Sequence, residues 1–375
     1  MTIAADSIVL PPELLPSDGR FGSGPSKVRP DAVQALAARA TDYLGTSHRQ
    51  ATVRDVVGRA RDGLAQLFSL PDGYEVLLGN GGSTAFWDAA SFGLVERKSQ
   101  HVSIGEFSSK CAGVMKAAPH LEAPDVIETA PGLAPIPNHS DTTIDTYCFP
   151  HNETSTGVMC EITRPEGSEG LVMVDATSGA GGLRVDATEF DVYYFAPQKC
   201  FAGDGGLWLA LVSPAAVARI ERIKSTQRWV PASLDLATAL EQSRLNQTYN
   251  TPALATIFML AHQVEWMNER GGLSWCAGRC DESADIIYSW ADEHKLAQPF
   301  VVESARSHVT ATIDFDDSID ALLLAKVLRR NGILDVDSYR KLGRNQLRVA
   351  LFPAIEPSDI AILTRAIDFV LAQLA

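Results

Sequence analysis

Two short apolar runs in the middle of the chain, each ending on a residue with chemistry to offer, limit what this sequence can become. Leu171-Val172-Met173-Val174 stops at Asp175, and Asp191-Val192-Tyr193-Tyr194-Phe195-Ala196 runs into Pro197-Gln198-Lys199. Runs this short, without polar alternation, suit strands of a mostly parallel sheet covered on both faces. Ligands of such sheets sit beyond the carboxyl ends of the strands, so Asp175 and Lys199 can reach a single site. Gly203-Asp204-Gly205-Gly206 then turns the chain into a third run, residues 207–212, and Thr177-Ser178 place hydroxyls just past the acid. Strand–Asp, strand–Lys, glycine turn, strand is a more specific order than any one piece. Read singly, Asp175 could cap a following helix and Lys199 could be a solvated loop residue.

One acid and one amine at the same sheet edge are what pyridoxal phosphate (PLP) chemistry requires. The amine holds the aldehyde as a Schiff base, and the carboxylate keeps the pyridine nitrogen protonated so that the ring accepts electrons. A second stretch points the same way. A strand over 74–78 is followed at once by Gly79-Asn80-Gly81-Gly82-Ser83-Thr84 and a helix from Ala85. In that geometry backbone N–H groups cradle a phosphate at a helix N-terminus, although the same glycines also suit a plain tight turn. The stretch lacks the Gly-Lys-Ser/Thr of a nucleotide P-loop and does not fit G-x-G-x-x-G. Further strands, 101–104 and 145–149, deliver Gly105-Glu106-Phe107-Ser108-Ser109 and a polar segment from Pro150 to Gly157. Alternating strands and helices, such as those over 32–44 and 53–68, predict a doubly wound α/β domain.

A chain of 375 residues is long enough for two domains. The expected division is a large α/β domain over 25–269 and a smaller α+β domain over 270–375 joined by residues 1–24. In the smaller part, strands are predicted at 300–301, 309–315 and 346–352, with helices over 273–294, over 319–331 and from 359. A net charge of −14 argues against nucleic acid and anionic membranes as partners. A few arginines can still form a local anion pocket, and the polar turn at His48-Arg49 is a candidate. The six cysteines show no paired ligand spacing, so no metal is expected and reduced cytosolic thiols are. No run is long enough to span a bilayer, and the first residues lack the pattern of a secretion signal, which together predict a cytoplasmic protein. Asn138-His139-Ser140 and Asn152-Glu153-Thr154 match the glycosylation pattern, which has meaning only in a secreted chain.

Taken in order, Ser47-His48-Arg49, the turn at 79–84, Asn152-Glu153-Thr154, Asp175, Gln198-Lys199 and Tyr249-Asn250-Thr251-Pro252 make the chain resemble the fold type I PLP-dependent aminotransferases. Within them it is similar to the phosphoserine aminotransferases, as a divergent, actinobacterial-type branch. The likeness spans nearly the whole chain. It implies that Lys199 is the Schiff-base lysine and proton shuttle and that Asp175 partners the pyridine nitrogen. Phe107 takes the place of the ring-stacking aromatic, often Trp in the family, and Thr154 approaches the ring hydroxyl. Gly82, Ser83, Thr84, Ser178 and Gln198 would surround the cofactor phosphate. Asn250 and Thr251 would reach it from a second subunit, which implies a homodimer with composite sites. His48 and Arg49 match the substrate-phosphate pair, and Arg348 the arginine that forks onto the α-carboxylate.

The sequence departs from the family at two places. Many relatives carry a His-Arg pair shortly before the carboxylate arginine, where this chain has Lys341-Leu342 flanked by Arg340 and Arg344. Ser83-Thr84 also stands where many relatives have Gly-Arg. The resemblance implies amino transfer between glutamate and 3-phosphohydroxypyruvate, giving phosphoserine and 2-oxoglutarate. The alternative is an alanine–glyoxylate or serine–pyruvate aminotransferase of the same fold, which would not need the basic cluster. A non-catalytic scaffold on this fold would not need both Lys199 and Asp175.

Overall fold

The computed structural model describes residues 7–138 and 141–374. Seven strands form the main sheet: β1 (Glu75–Asn80), β2 (Ser99–Ser103), β3 (Asp125–Glu128), β4 (Thr146–Pro150), β7 (Leu171–Asp175), β8 (Val192–Phe195) and β9 (Leu207–Val212). Their order is β1-β9-β8-β7-β4-β2-β3. The pairs β2–β3, β2–β4, β4–β7 and β7–β8 are parallel. Strand β9 is antiparallel to both β1 and β8, so its amino end lies beside the carboxyl ends of the other six. In register, Asp175 lies opposite Pro150 on one side and Tyr194 on the other.

The apolar runs are continuous because both faces of the sheet are covered. Along β7, Val172 and Val174 pack into a core with α2 (Ala51–Leu67) and α7 (Leu254–Glu269), through side chains such as Leu64 and Val264. Leu171 and Met173 point the other way, against Phe86 and Trp87 of α3 (Ser83–Gly93) and Met115 of α4 (Glu106–Ala117). A third core belongs to a three-stranded antiparallel sheet, β10 (Ala297–Pro299), β11 (Thr310–Phe315) and β12 (Gln346–Ala350). It is shared with α8 (Gly272–Glu293), α9 (Ala321–Arg330) and α10 (Pro357–Leu374). Ile8, Leu10 and Phe21 are buried in that third core, and on this ground we propose the division near residue 270, with the amino-terminal segment in the smaller unit.

Several predicted elements differ in detail. Helix α1 (Pro30–Ala38) stops six residues short of the predicted 44. Arg39 turns its guanidinium onto Asp42, and poor helix formers follow at Thr41 and Asp42. The strand expected at 300–301 is β10, which pairs through Ala297, Gln298 and Pro299. The edge strand β3 and the hairpin of β5 (Asn152–Glu153) and β6 (Val158–Met159) were not predicted, being too short to show a period. Of the two glycosylation patterns, His139 and Ser140 lie outside the described residues. Asn152 is buried and its amide donates to Ser178 Oγ, 2.8 Å away. Among the described residues, no helix is long and apolar enough to cross a membrane.

Candidate active site

Lys199 and Asp175 meet in one cavity of about 410 Å³ at the carboxyl edge of the main sheet. The turn after β1 forms one wall. Gly81 and Gly82 both have left-handed φ values, +123° and +127°, which glycine adopts without strain. Gly81 N–H donates to Gly206 O at 2.9 Å, tying this turn to the amino end of β9. Helix α3 then starts at Ser83, so its free N–H groups and the hydroxyls of Ser83 and Thr84 face the cavity. Gln198, Asp204 and Gly205 close the same corner. Two buried amide oxygens on the wall, Asn152 Oδ1 and Gln198 Oε1, have no protein partner among the described residues.

Asp175 is buried and held by donors. Thr177 N–H is 3.0 Å from Oδ1, Thr177 Oγ1 is 2.5 Å from it, and Trp87 Nε1 is 3.3 Å from Oδ2. Trp87 also donates to Tyr194 O–H at 2.9 Å. Burial pushes the carboxyl above its ordinary pKa, and the Thr177 bonds pull it back in part. Thr177 Oγ1 is in turn 2.7 Å from Ser83 Oγ, so one hydroxyl links the acid to the start of α3.

Lys199 is buried, and its pKa is lowered to about 8, first by desolvation and second by the nearby Arg348 guanidinium. Its Nζ donates to Ser23 O. The chain at Gly24 passes so close that a Cβ there would lie 2.2 Å from Nζ, and its φ of +128° also calls for glycine. One consequence is testable on the cofactor-free protein. Between pH 8 and 10.5 the unfolded chain keeps a proton that folded Lys199 has released, so stability should rise with pH through that window. The gain, on the order of 2–3 kcal/mol, is read as the difference in urea midpoints between pH 8 and pH 10. Lys199→Met should lack it; an equal rise in that variant would show that Lys199 titrates normally.

The remaining predicted residues fall into three groups. Phe107 and Thr154 line the Lys199 cavity from the first turn of α4 and from the β5–β6 hairpin. Ser178 does not line it. Its hydroxyl is fully buried between Asn152 Nδ2 and Thr154 Oγ1, at 2.8 and 2.7 Å, and Thr177 faces the cavity in its place. Asn250, Thr251, His48 and Arg49 form a separate cluster outside the cavity. Thr251 Oγ1 is 3.4 Å from His48 Nδ1, and exposed Arg49 donates to Gln247 Oε1 and, at 3.5 Å, to Tyr249 O.

The basic residues near the C-terminal sheet divide by partner. Arg348, on β12, lines an adjoining cavity of about 760 Å³ that shares Gly24 and Pro25 with the first. It makes one hydrogen bond, Nη1 to Thr154 O at 3.2 Å, and its buried Nε has no partner among the described residues. Arg344 forks onto Asp314, with Nε 3.1 Å from both oxygens, and stacks 4.3 Å above the Phe300 ring. Lys341 pairs with Glu106. Arg340 lines the second cavity and, among the described residues, has no hydrogen-bond or ion-pair partner. A wider groove of about 960 Å³ beside His151 contains neither Lys199 nor Asp175, and its Arg184 and His308 are both turned onto Asp281 at 2.7 Å.

Sequence reasoning assigned no role to Trp87, Glu153 or Tyr339, and gave Thr177 only as a hydroxyl just past Asp175. Trp87 lies one helical turn beyond Ser83, which puts both on one face of α3. Glu153 is buried and accepts from Ser108 N–H and Ser108 Oγ at 2.9 and 2.8 Å, so it caps the start of α4 and fixes where Phe107 sits.

The model of the family "Aminotransferase class-V" matches residues 20–336. The chain belongs to that family. It is 56% identical over 373 residues to the phosphoserine aminotransferase of Nocardioides sp. strain JS614, covering 98% of this chain and 100% of the relative. The crystal structure of a phosphoserine aminotransferase from Cytophaga hutchinsonii superposes with a TM-score of 0.85 at 25% identity, covering 93% of this chain and 98% of that one. The PLP-bound phosphoserine aminotransferase of Trichomonas vaginalis shares the fold, with a TM-score of 0.81 at 20% identity over 94% of this chain and 99% of that one.

Proposed function

We propose that the chain is a PLP-dependent transaminase that exchanges an amino group between glutamate and 3-phosphohydroxypyruvate, giving O-phospho-L-serine and 2-oxoglutarate. The observation that carries the substrate assignment is a pair of guanidiniums free of any carboxylate among the described residues, Arg348 and Arg340, lining a cavity that opens beside Lys199. Both substrates carry an α-carboxylate and a second anion farther along, which is the arrangement two separated arginines accommodate. Asp335 and Asp337 on the same rim share one partner, Arg329, which offsets half of their charge.

The residues present fit the cofactor. The positive-φ glycine turn and free N–H groups of α3 suit a phosphate, and the orphaned Asn152 and Gln198 oxygens show a wall built for a polar occupant. Phe107, Thr154 and Asp175 all line the cavity and would meet the ring face, its hydroxyl and its nitrogen. Thr177 is better placed than Ser178 to join Ser83, Thr84, Gly82 and Gln198 around the phosphate. Bound there, PLP supplies an electron sink for the bonds at the substrate α-carbon. The protein supplies the rest. Arg348 would bind the α-carboxylate beside Lys199. Lys199 Nζ, with a pKa near 8, would take the proton from the α-carbon and pass it on to the cofactor, rather than return it to the same carbon. Arg340 holds the distal phosphate or side-chain carboxylate, while Lys341 and Arg344 are engaged elsewhere.

The active form in this reading is a cytoplasmic homodimer. His48, Arg49, Asn250 and Thr251 lie outside their own chain's Lys199 cavity, beside the exposed ring of Tyr249. They act on the partner's site, His48 and Arg49 on the substrate phosphate and Asn250 and Thr251 on the cofactor phosphate. Arg49→Ala should lower kcat/KM for phosphoserine by at least about tenfold, the low end for losing an interfacial charge contact, with a much smaller change for alanine. Mixing Arg49→Ala with Lys199→Ala subunits should restore one working site per mixed dimer; no recovery would mean that Arg49 acts within its own chain. The function itself is tested by half-reactions of the wild type with phosphoserine and with alanine. A preference for alanine with glyoxylate would overturn it in favour of the alanine–glyoxylate type.

A further inference from the structure

Arg348 is underdetermined by its hydrogen bonds. A guanidinium offers five donors, yet this one uses a single bond, to Thr154 O, with Nε buried and unpartnered. It also faces the ring of Tyr339, whose centroid is 5.4 Å from Cζ. The same ring lies 5.8 Å from that of Phe107, at 58°. Tyr339 is therefore wedged between the arginine assigned to the α-carboxylate and the aromatic assigned to the cofactor face.

Tyr339 lies in no helix or strand, so something else must hold it. Leu342 N–H closes a turn onto Tyr339 O at 2.9 Å, and the segment is fastened at two points. Arg344 forks onto Asp314 of β11. Lys341 reaches across to Glu106, the residue before Phe107. The two segments thus meet twice, ring against ring and charge against charge. Glu106 also pairs with Lys110 at 3.0 Å, and Lys341 is exposed, so this ion pair is a modest strap.

We infer that Tyr339 is a positioning residue that sets the Arg348 guanidinium relative to Phe107, and that the Lys341–Glu106 pair straps it in place. Lys341 then serves every substrate alike, and is not a ligand for the substrate phosphate. The inference rests on the reading of Arg348 as the carboxylate residue.

The test is a set of half-reactions with phosphoserine and alanine on the holoenzymes of Tyr339→Leu, Tyr339→Phe, Lys341→Met and Arg348→Lys. Tyr339→Leu should raise KM for phosphoserine and lower kcat/KM for alanine by the same factor, roughly tenfold for a partly desolvated cation–π contact. Its kcat with phosphoserine should stay within about threefold of wild type, because the contact acts in binding. Tyr339→Phe, which keeps the ring, should restore KM, and Lys341→Met should show a smaller uniform loss. An unchanged KM in Tyr339→Leu, a failure of Tyr339→Phe to rescue, or a Lys341→Met loss confined to phosphoserine would overturn the inference. If Tyr339→Leu does not fold, as judged by thermal melting, the Lys341→Met pattern decides. Arg348→Lys separates the two readings. If it leaves both substrates untouched, the assignment of Arg348 fails; if it weakens both while Tyr339→Leu weakens neither, only the role of Tyr339 fails.

Discussion

Lys199→Ala is expected to abolish turnover and leave the fold in place. On the proposed function the side chain combines two roles that are hard to replace: a nucleophilic amine for the cofactor aldehyde, and a base at the substrate α-carbon. General acid–base help alone is worth up to about 10⁴-fold, and loss of covalent attachment adds to that, so residual activity should fall at least this far. The fold should survive because Nζ makes one hydrogen bond, to the backbone oxygen of Ser23. Removing an amine whose burial already depresses its pKa also removes a desolvation cost. Gly24 would then face an opening where the lysine stem had been. The check is two measurements on one preparation, single-turnover kinetics with phosphoserine and a thermal melt. Borohydride treatment of the native holoenzyme should, in parallel, leave the cofactor attached to the peptide containing Lys199. Attachment at another lysine would move the centre of the site elsewhere.

How much of this could be read from the sequence depended on whether a residue's role is set by its own strand or by a distant partner. Asp175 and Lys199 end apolar runs, and a run buried on both faces fixes which end of the sheet they occupy. The direction of β9 was not legible, since residues 207–212 look alike whether the strand runs with or against its neighbours. The choice between Thr177 and Ser178 lies one residue past the strand, where the two-residue alternation no longer applies and loop geometry decides. Trp87 was within reach, given the helix starting at Ser83. The sorting of Arg340, Lys341 and Arg344 was not. It turns on Glu106, 235 positions from Lys341, and on Asp314, 30 positions from Arg344. Composition and periodicity carry no record of such pairs. Tyr339 was invisible for the same reason: its ring meets Phe107, on helix α4 and far away in the chain, and Arg348, on strand β12, a contact set by the loop's path.

Asp175→Asn should keep the shape of the site and lose its charge. Three donors converge on this side chain, Thr177 N–H, Thr177 Oγ1 and Trp87 Nε1, and an acceptor-only carboxylate suits all of them. An amide offers one oxygen and must turn its own N–H groups toward some of these donors, so a small loss of melting temperature is expected even without cofactor. The larger effect is electrostatic. Burial raises the Asp175 pKa, so in the cofactor-free chain ionisation of this group works against folding. The sign follows from linkage: below the ordinary carboxyl pKa the protonated group costs nothing extra, and stability is lost as pH rises through the elevated value. A buried carboxylate kept at that cost is compensated by a cationic partner, and on the proposed function that partner is the pyridinium nitrogen of the bound cofactor. Asn cannot stabilise that cation, and the rate of the phosphoserine half-reaction should fall on the order of a hundredfold or more, the scale for removing one preorganised electrostatic partner. Cofactor affinity, measured by equilibrium dialysis, should fall with it, whereas the cofactor-free melt should shift only slightly. Near-wild-type kinetics with an equal drop in both melts would reduce Asp175 to a structural acceptor for Thr177 and Trp87.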